Sequence, residues 1–145
     1  MAFNYFGLMI LIDLIIISNM VSSKTSHIKE IKECEIDNDG IFKYIQIQID
    51  CNLTGERKIV VRGWKKYEYH KENFAHFKSV ESKNIKNCKL YAIGGGRINI
   101  NSMNKKILVY GYSKSYGICD HSLTCKILQN HYPDFECNWN NDGYW

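Results

Sequence analysis

Alternation of apolar and polar residues is clearest between residues 41 and 51. The apolar positions of this stretch are Ile45, Ile47, Ile49 and Cys51. The positions between them are Tyr44, Gln46, Gln48 and Asp50. A period of two is typical of a strand that turns one face to the core and the other to solvent. The pattern therefore predicts a strand over 41–51, with the isoleucine face buried and the tyrosine and glutamine face wet.

Weaker patterns predict the rest of the fold. Strands are expected over 58–64, 88–93, 97–100 and 106–112. Gly94-Gly95-Gly96 lacks the Gly-Lys-Ser/Thr ending of a phosphate loop and is expected to be a turn that stops a strand. Short helices are expected within 68–84 and from Ser122 to about 129. Many short strands joined by turns predict a mainly β protein, a small antiparallel β-sandwich with one or two short helices.

An apolar leader precedes this domain. Residues 5–23 are almost uncharged, and Val21 and Ser23 are the small residues that signal peptidase prefers. This predicts a signal peptide over 1–23, cleavage before Lys24, and a single domain over 24–145. The alternative is an uncleaved membrane anchor, for which Asp13 would cost roughly 2.5–3.5 kcal/mol at the centre of a span.

All the cysteines lie downstream of the leader. They are Cys34, Cys51, Cys88, Cys119, Cys125 and Cys137. In a secretory route such thiols pair, so the sandwich is expected to be stabilised by disulfides. Sequence alone leaves the connectivity open, although Cys51 and Cys88 both fall on strands near apolar faces.

Two further features of the cysteine-bearing domain concern modification and metal binding. The sequon that begins at Asn52 opens a loop after a strand and predicts glycosylation of a secreted, extracellular protein. The stretch from Cys119 to Cys125 contains Asp120 and His121 but lacks the paired spacing of a zinc site. No metal and no cofactor are therefore expected.

A group of aromatic and basic residues is the best candidate for a binding surface. Its members are Arg62, Trp64, Lys65, Lys66, Tyr67 and Tyr69. Rings interleaved with cations stack sugars or bases, or dock at a membrane interface. The alternative is that half of the rings are core, with lysine stems lying over them. The net charge is +4, but the charged residues are spread along the chain without a block of like charges. No nucleic-acid partner is therefore expected.

The histidines allow a comparison with small secreted ribonucleases, which use two histidines and a lysine. The histidines of this chain are His27, His70, His76, His121 and His131. The local Cys-Lys pattern of those enzymes, followed closely by Asn-Thr-Phe, is not met, because Cys88-Lys89 continues as Leu90. Five scattered histidines are more often surface residues, so no catalytic residue is predicted.

Three segments carry a family resemblance: Val60-Val61-Arg62-Gly63, residues 84–91, and the segment 101–111 that ends in glycine. Through them the chain resembles the nematode transthyretin-like family, over about residues 58–137. It implies an extracellular β-sandwich with a non-enzymatic binding or signalling role, and it transfers no site residues.

These observations together predict a secreted recognition module without catalytic activity. Its partner would be an extracellular protein, a glycan or a lipid, with no stable membrane insertion once the leader is removed. Two alternatives remain open. One is a small secreted hydrolase, ribonuclease-like or glycan-acting, and the other is a surface protein that keeps residues 5–23 as its anchor.

Overall fold

The computed structural model describes residues 5–22 and 27–143. The leader forms helix α1, Tyr5–Ser22, and the side chains of residues 5–17 are exposed. Within the described residues, no helix has both the length and the apolar character that a membrane span requires. The predicted cleavage site before Lys24 lies outside the described residues, and the signal peptide stays a prediction.

The domain is built on one mixed sheet. Its strands are β1 (Cys34–Ile36), β2 (Gly40–Cys51), β3 (Arg57–Gly63), β4 (Cys88–Asn101), β5 (Lys106–Tyr110) and β6 (Glu136–Trp139). Their order across the sheet is β1-β3-β2-β4-β5-β6. The inner strands pair antiparallel, whereas each edge strand, β1 on β3 and β6 on β5, pairs in parallel.

Helices cover both faces of this sheet. Helix α2 spans His70–His76 and continues through a π turn, Phe77–Glu81, and a 3-10 turn, Ser82–Asn84. Helix α3 spans His121–His131, and a 3-10 turn, His27–Glu30, precedes β1. The α2 face has a core that contains Ile45, Ile47, Ile49, Val60 and Phe77. The α3 face has a second core, with Phe42, Tyr44, Ile98, Val109 and Leu128.

Mainly β structure is confirmed, but the sandwich is wrong. A single sheet packs against helices on both faces, instead of a second sheet on one. The predicted ends of β2, β3 and β5 lie within two residues of the ends seen in the structure. Alternation of apolar residues reports only that a strand is half-buried or fully buried, and it does not tell whether a helix or a sheet lies on it.

The predicted wet face of β2 is also wrong. Tyr44 and Gln46 are buried beneath α3. The Gln46 Nε2 amide donates to Thr124 Oγ1 and to the carbonyl of Asp120, both at 2.7 Å. The side-chain amide of Gln46 is therefore buried with its hydrogen bonds satisfied by α3 and its N-cap, as buried polar groups generally must be. Gln48 and Asp50, on the same face, are half-buried.

The predicted turn at Gly94-Gly95-Gly96 is instead the middle of β4. A Cβ on Gly95 would lie 2.5 Å from the Tyr44 carbonyl oxygen and 2.8 Å from His70 Cδ2. A Cβ on Gly96 would lie 2.3 Å from the Tyr110 carbonyl oxygen and 2.8 Å from His121 Cε1. Glycine inside a strand marks close approach of other groups, and here two imidazoles lie against opposite faces of one strand.

The short edge strands and the start of α3 differ from expectation for local reasons. Strands β1 and β6 are three and four residues long, too short for alternation to be detected. Helix α3 is capped by Asp120 rather than by Ser122, because Asp120 Oδ1 accepts from the amides of Ser122 and Leu123 at 3.0 and 3.2 Å. Aspartate is among the preferred residues at this position.

The disulfide-stabilised fold is wrong, because all six cysteines are free thiols. Cys51 lies directly opposite Cys88 across β2 and β4, and Cys137 packs on the core that holds Cys125. These thiols fill apolar space, a role for which free cysteine is well suited. The two cores supply the stability that the sequence analysis assigned to cross-links.

A buried ion pair joins the π turn to the sheet. Arg62 is fully buried, and its Nε and Nη2 donate to the two carboxylate oxygens of Glu81, each at 2.8 Å. Its Nη1 and Nη2 also donate to the carbonyls of Val61 and Lys32. A guanidinium so paired is held in place, whereas removal of its carboxylate would leave a buried charge uncompensated.

Titration of the thiols tests whether the cysteines are free or form disulfides. We expect protein purified without reductant to show six reactive thiols after unfolding. We also expect its melting temperature to be the same with and without reductant, because no cross-link contributes. Fewer thiols, or a lower melting temperature on reduction, would contradict the structure.

Replacement of one glycine tests the packing of β4. Gly95→Ala should lower the free energy of unfolding by about 1–3 kcal/mol, because the new methyl group overlaps backbone and imidazole atoms. Urea denaturation measures this, and Gly143→Ala is the matched control because a Cβ there meets nothing within 4 Å. Equal stability of the two variants would show that the strand is not packed as described.

Candidate active site

An open cavity of about 380 Å³ lies where β2, β4, the start of α2 and the loop after β5 meet. Its lining residues are Lys43, Tyr69, His70, Lys71, Arg97, Ser113, Lys114 and Ser115. The set contains four cationic side chains, one imidazole and no carboxylate. Its chemistry suits an anionic ligand.

His70 is the most constrained residue of the cavity. It is the first residue of α2, and the chain entering the helix is fixed because the Tyr69 amide donates to Glu72 Oε2 at 2.8 Å. The imidazole is 7% exposed and lies over Gly95. Its Nε2 lies 2.9 Å from the carbonyl oxygen of Gly96. A carbonyl only accepts, so Nε2 carries the proton and donates it to this bond.

Burial determines the charge of His70. Desolvation lowers its pKa below the usual 6.5, and the neighbouring cations Lys43 and Arg97 lower it further, against the opposing effect of the Gly96 hydrogen bond. The imidazole is therefore neutral at pH 7. With the proton held on Nε2, the lone pair of the ring is on Nδ1.

Two cations lie side by side on the floor of the cavity. Lys43 on β2 and Arg97 on β4 are directly opposite each other in the register of the two strands. Lys43 Nζ donates to the carbonyl of Glu68 at 2.6 Å. Like charges at opposed positions of a sheet repel, and together the two side chains attract an anionic ligand.

The loop after β5 forms another part of the wall. Ser113 is 1% exposed, and its amide and carbonyl both bond to Gly117, at 3.0 and 2.7 Å. This closes a tight turn in which Gly117 has a φ of +81°. Within the described residues, no hydrogen bond engages the amides of Lys114 and Ser115. Successive backbone amides in a tight turn form an anion-binding concavity.

A second buried histidine lies behind the cavity. His121 is on the other face of β4, where its Nε2 donates to the Gly111 carbonyl at 2.7 Å and its Nδ1 bonds the Tyr44 hydroxyl at 2.5 Å. Both ring nitrogens are thus engaged and neither can ligate a metal. Across residues 5–22 and 27–143, no cluster of three or more histidine, cysteine or acidic residues could hold a metal ion.

A larger cavity, of about 660 Å³, lies between the turn before β1 and the end of the α2 segment. Glu30, Glu35 and Glu81 line it together with Lys32, Lys86 and apolar side chains. Its charged groups are therefore of both signs, with more carboxylates than cations, whereas the charged groups that line the cavity around His70 are all cationic. The smaller cavity around His70 is therefore the better candidate for a catalytic site.

The residues singled out in the sequence are only partly brought to this site. Tyr69 lines the cavity. Trp64 and Tyr67 instead stack on His76, with ring centroids at 4.4 and 5.6 Å, and Lys66 lies over both rings. Arg62 is buried in its ion pair, and Lys65 lies against Gly40. Asn52 is exposed in the turn after β2, and its glycosylation stays a prediction.

Sequence reasoning missed the residues that form the site. They are Lys43, His70, Arg97 and the loop 113–115. One signal was available for Lys43, because this charged residue is in phase with the buried isoleucines of β2. The other was the run of three glycines before Arg97, which marks close approach in a strand.

Comparison with known proteins identifies clear relatives. The chain is 39% identical over 119 residues to the 14 kDa phosphohistidine phosphatase of Homo sapiens, covering 79% of this chain and 94% of that protein. It is 38% identical over 120 residues to the protein of the same name from Sus scrofa, with the same coverage. The sex-regulated protein janus-A of Drosophila melanogaster is 35% identical over 109 residues, covering 75% of this chain and 78% of the fly protein.

These relatives correct the functional predictions. Similar proteins bear the name of an enzyme, so the interpretation as a non-catalytic recognition module is wrong. The prediction of a secreted, extracellular protein is wrong as well. It depended on the apolar leader, on cysteines that were expected to pair but are free thiols, and on likeness to a secreted family that these relatives replace.

The match to a family model gives the final correction. The model of the Janus/Ocnus family matches residues 28–136. This range includes β1 to β5 and the first residue of β6. The resemblance to the transthyretin-like family is therefore wrong; it rested on short strand and turn patterns that unrelated sheets share. The chain belongs to the Janus/Ocnus family.

Proposed function

We propose that this protein is a phosphatase that removes the phosphoryl group from phosphohistidine, with His70 as the nucleophile. The observation that carries the proposal is the state of His70, which is neutral, anchored through Nε2 and unprotonated at Nδ1, beside two opposed cations. The names of the relatives from Homo sapiens and Sus scrofa support the same class of reaction.

Substrate binding follows from the charges of the cavity. The phosphoryl oxygens would contact Lys43, Arg97 and the amides of the turn that begins at Ser113. Charge-assisted hydrogen bonds of this kind are about twice as strong as neutral ones. They also withdraw charge from the phosphorus and leave it open to attack, which is the main protein contribution to phosphoryl transfer.

The transfer itself exchanges one P–N bond for another. The Nδ1 lone pair of His70 attacks phosphorus, and the bond between phosphorus and the substrate imidazole breaks with its electron pair on the leaving nitrogen, which takes a proton from solvent. Water then attacks the phosphoryl group on His70. Inorganic phosphate leaves, one proton returns to solvent, and Nδ1 regains its lone pair.

A nucleophilic role fits His70 better than a role as general base. The lowered pKa keeps Nδ1 unprotonated at pH 7, and a neutral imidazole is a competent nucleophile. The covalent intermediate carries the same P–N bond as the substrate. The free energies of the reactants and products of the first step are therefore similar. The Gly96 carbonyl, which accepts the Nε2 proton, stabilises the positive charge that develops on the imidazole during attack.

Replacement of His70 tests the proposal directly. His70→Ala should lower kcat/KM for a phosphohistidine peptide by on the order of a thousandfold, because no other lining residue offers a neutral nitrogen nucleophile. Phosphate release measures the rate, and circular dichroism checks the fold. His131→Ala, an exposed histidine at the end of α3, is the control and should keep full activity. Turnover by the His70 variant at the control rate would refute the assignment.

The pH dependence of turnover tests the electrostatics. The active form of His70 is the one with an unprotonated Nδ1, so kcat/KM should rise with pH, reach half of its plateau at a pKa below 6.5 and level off above that pKa. Lys43→Gln removes a cation that lowers this pKa. Its profile should therefore move to higher pH, in addition to a lower plateau from weaker phosphate binding. An acid limb that does not move would show that Lys43 does not act on His70.

A further inference from the structure

The cavity carries more positive charge than a phosphoryl group needs. Lys43 and Arg97 are half-buried on its floor, next to His70. Lys71 and Lys114 are exposed and come from α2 and from the loop after β5. The outer pair is thus placed at the rim, where it meets whatever surrounds the phosphoryl group of a substrate.

Tyr69 ties one rim lysine to the floor of the site. Its ring is half-exposed, with Lys71 Nζ at 5.5 Å and Lys43 Nζ at 5.3 Å from the ring centroid. Contacts between an ammonium and an aromatic face within about 6 Å are attractive. The ring therefore contacts the ammonium group of Lys43 on the floor of the cavity and that of Lys71 at its rim.

Within the described residues, neither rim lysine is paired with a carboxylate. The ion pairs of this part of the chain include Lys29–Glu56, Arg57–Asp50 and Arg62–Glu81. Glu72, the acidic residue next to Lys71 in sequence, uses its carboxylate to accept from the Tyr69 amide. The charges of Lys71 and Lys114 are therefore available to a ligand.

The size of the cavity leaves room for more than the phosphoryl group. Its volume of about 380 Å³ falls in the range of sites that enclose drug-sized ligands. A phosphohistidine side chain entering it would bring the neighbouring residues of its own chain to the rim. The side chains on either side of the phosphohistidine then lie close to Lys71 and Lys114.

We propose that Lys71 and Lys114 make this site select protein segments in which acidic residues flank the phosphorylated histidine. This inference rests on the proposed function. Rim charges of one sign attract a segment of opposite charge and raise its rate of capture, and they disfavour a basic segment. They contribute little to the reaction of a small substrate that does not reach them.

The test uses the full chain and measures turnover in one arm and binding in the other. Phosphohistidine peptides with glutamate, alanine or lysine on both sides, together with phosphoramidate, are compared in turnover. Fluorescence anisotropy measures binding of the same peptides made with a non-hydrolysable phosphonate analogue of phosphohistidine. The variant is Lys71→Ala with Lys114→Ala, and the charge-matched control is Lys83→Ala with Lys126→Ala, two exposed lysines that do not line the cavity.

The wild type and the control should favour the glutamate peptide over the alanine peptide by about tenfold at low salt, in both binding and kcat/KM, with the difference lost at high salt. The rim variant should treat the two peptides alike, and it should lose more of its kcat/KM for the glutamate peptide than for phosphoramidate. An acidic preference that survives in the rim variant, or that is absent from the wild type, overturns the inference.

The binding arm separates this inference from the proposed function. If acidic analogues bind preferentially through the rim lysines but no peptide is turned over, selectivity stands and the phosphatase proposal fails. If phosphohistidine is hydrolysed at equal rates in all three peptides, the phosphatase proposal stands and the selectivity fails. If neither binding nor turnover occurs, both are overturned.

Discussion

The close approach of the His70 imidazole to the backbone of β4 is the constraint on which the site depends. The Nε2–H···O bond to Gly96 fixes the tautomer, and the absence of a Cβ at Gly95 gives the ring the room to make it. On the other face of the same strand, the missing Cβ of Gly96 admits His121, which in turn holds Gly111. Since Gly111 begins the loop that carries Ser113, one short run of glycines positions both the imidazole and the wall opposite the sheet.

The positive charges beside the His70 ring repel each other in the folded protein, and they suit the binding of an anion. Lys43 and Arg97 are adjacent in the sheet and beside an uncharged imidazole, an arrangement that a structural argument alone would disfavour. Like-charge pairs of this kind are typical of binding and catalytic sites. The two apolar cores and the buried Arg62–Glu81 pair supply the rigidity that holds the two strands and their cations in place.

The sequence indicates the strands far better than the site. Alternation in β2 and the apolar run of β5 place these elements correctly, because each strand's pattern reflects its own burial. The run of three glycines is misread as a turn, since its cause is a pair of histidines that are distant in sequence and adjacent only in the folded sheet. The cysteines mislead for a related reason. Six thiols after an apolar leader suggest cross-links, whereas packing among strands and α3 uses them as small apolar side chains.

The same limit explains why His70 is passed over. Nothing in the stretch around it distinguishes this histidine from His76, six residues later, until α2 places its ring on β4. Long-range proton–nitrogen NMR correlation of His70 in the ligand-free protein reports the protonation of both ring nitrogens. We expect a neutral ring at pH 7, with its proton on Nε2 and an unprotonated Nδ1. A ring protonated at both nitrogens, or a proton on Nδ1 with Nε2 bare, would contradict it.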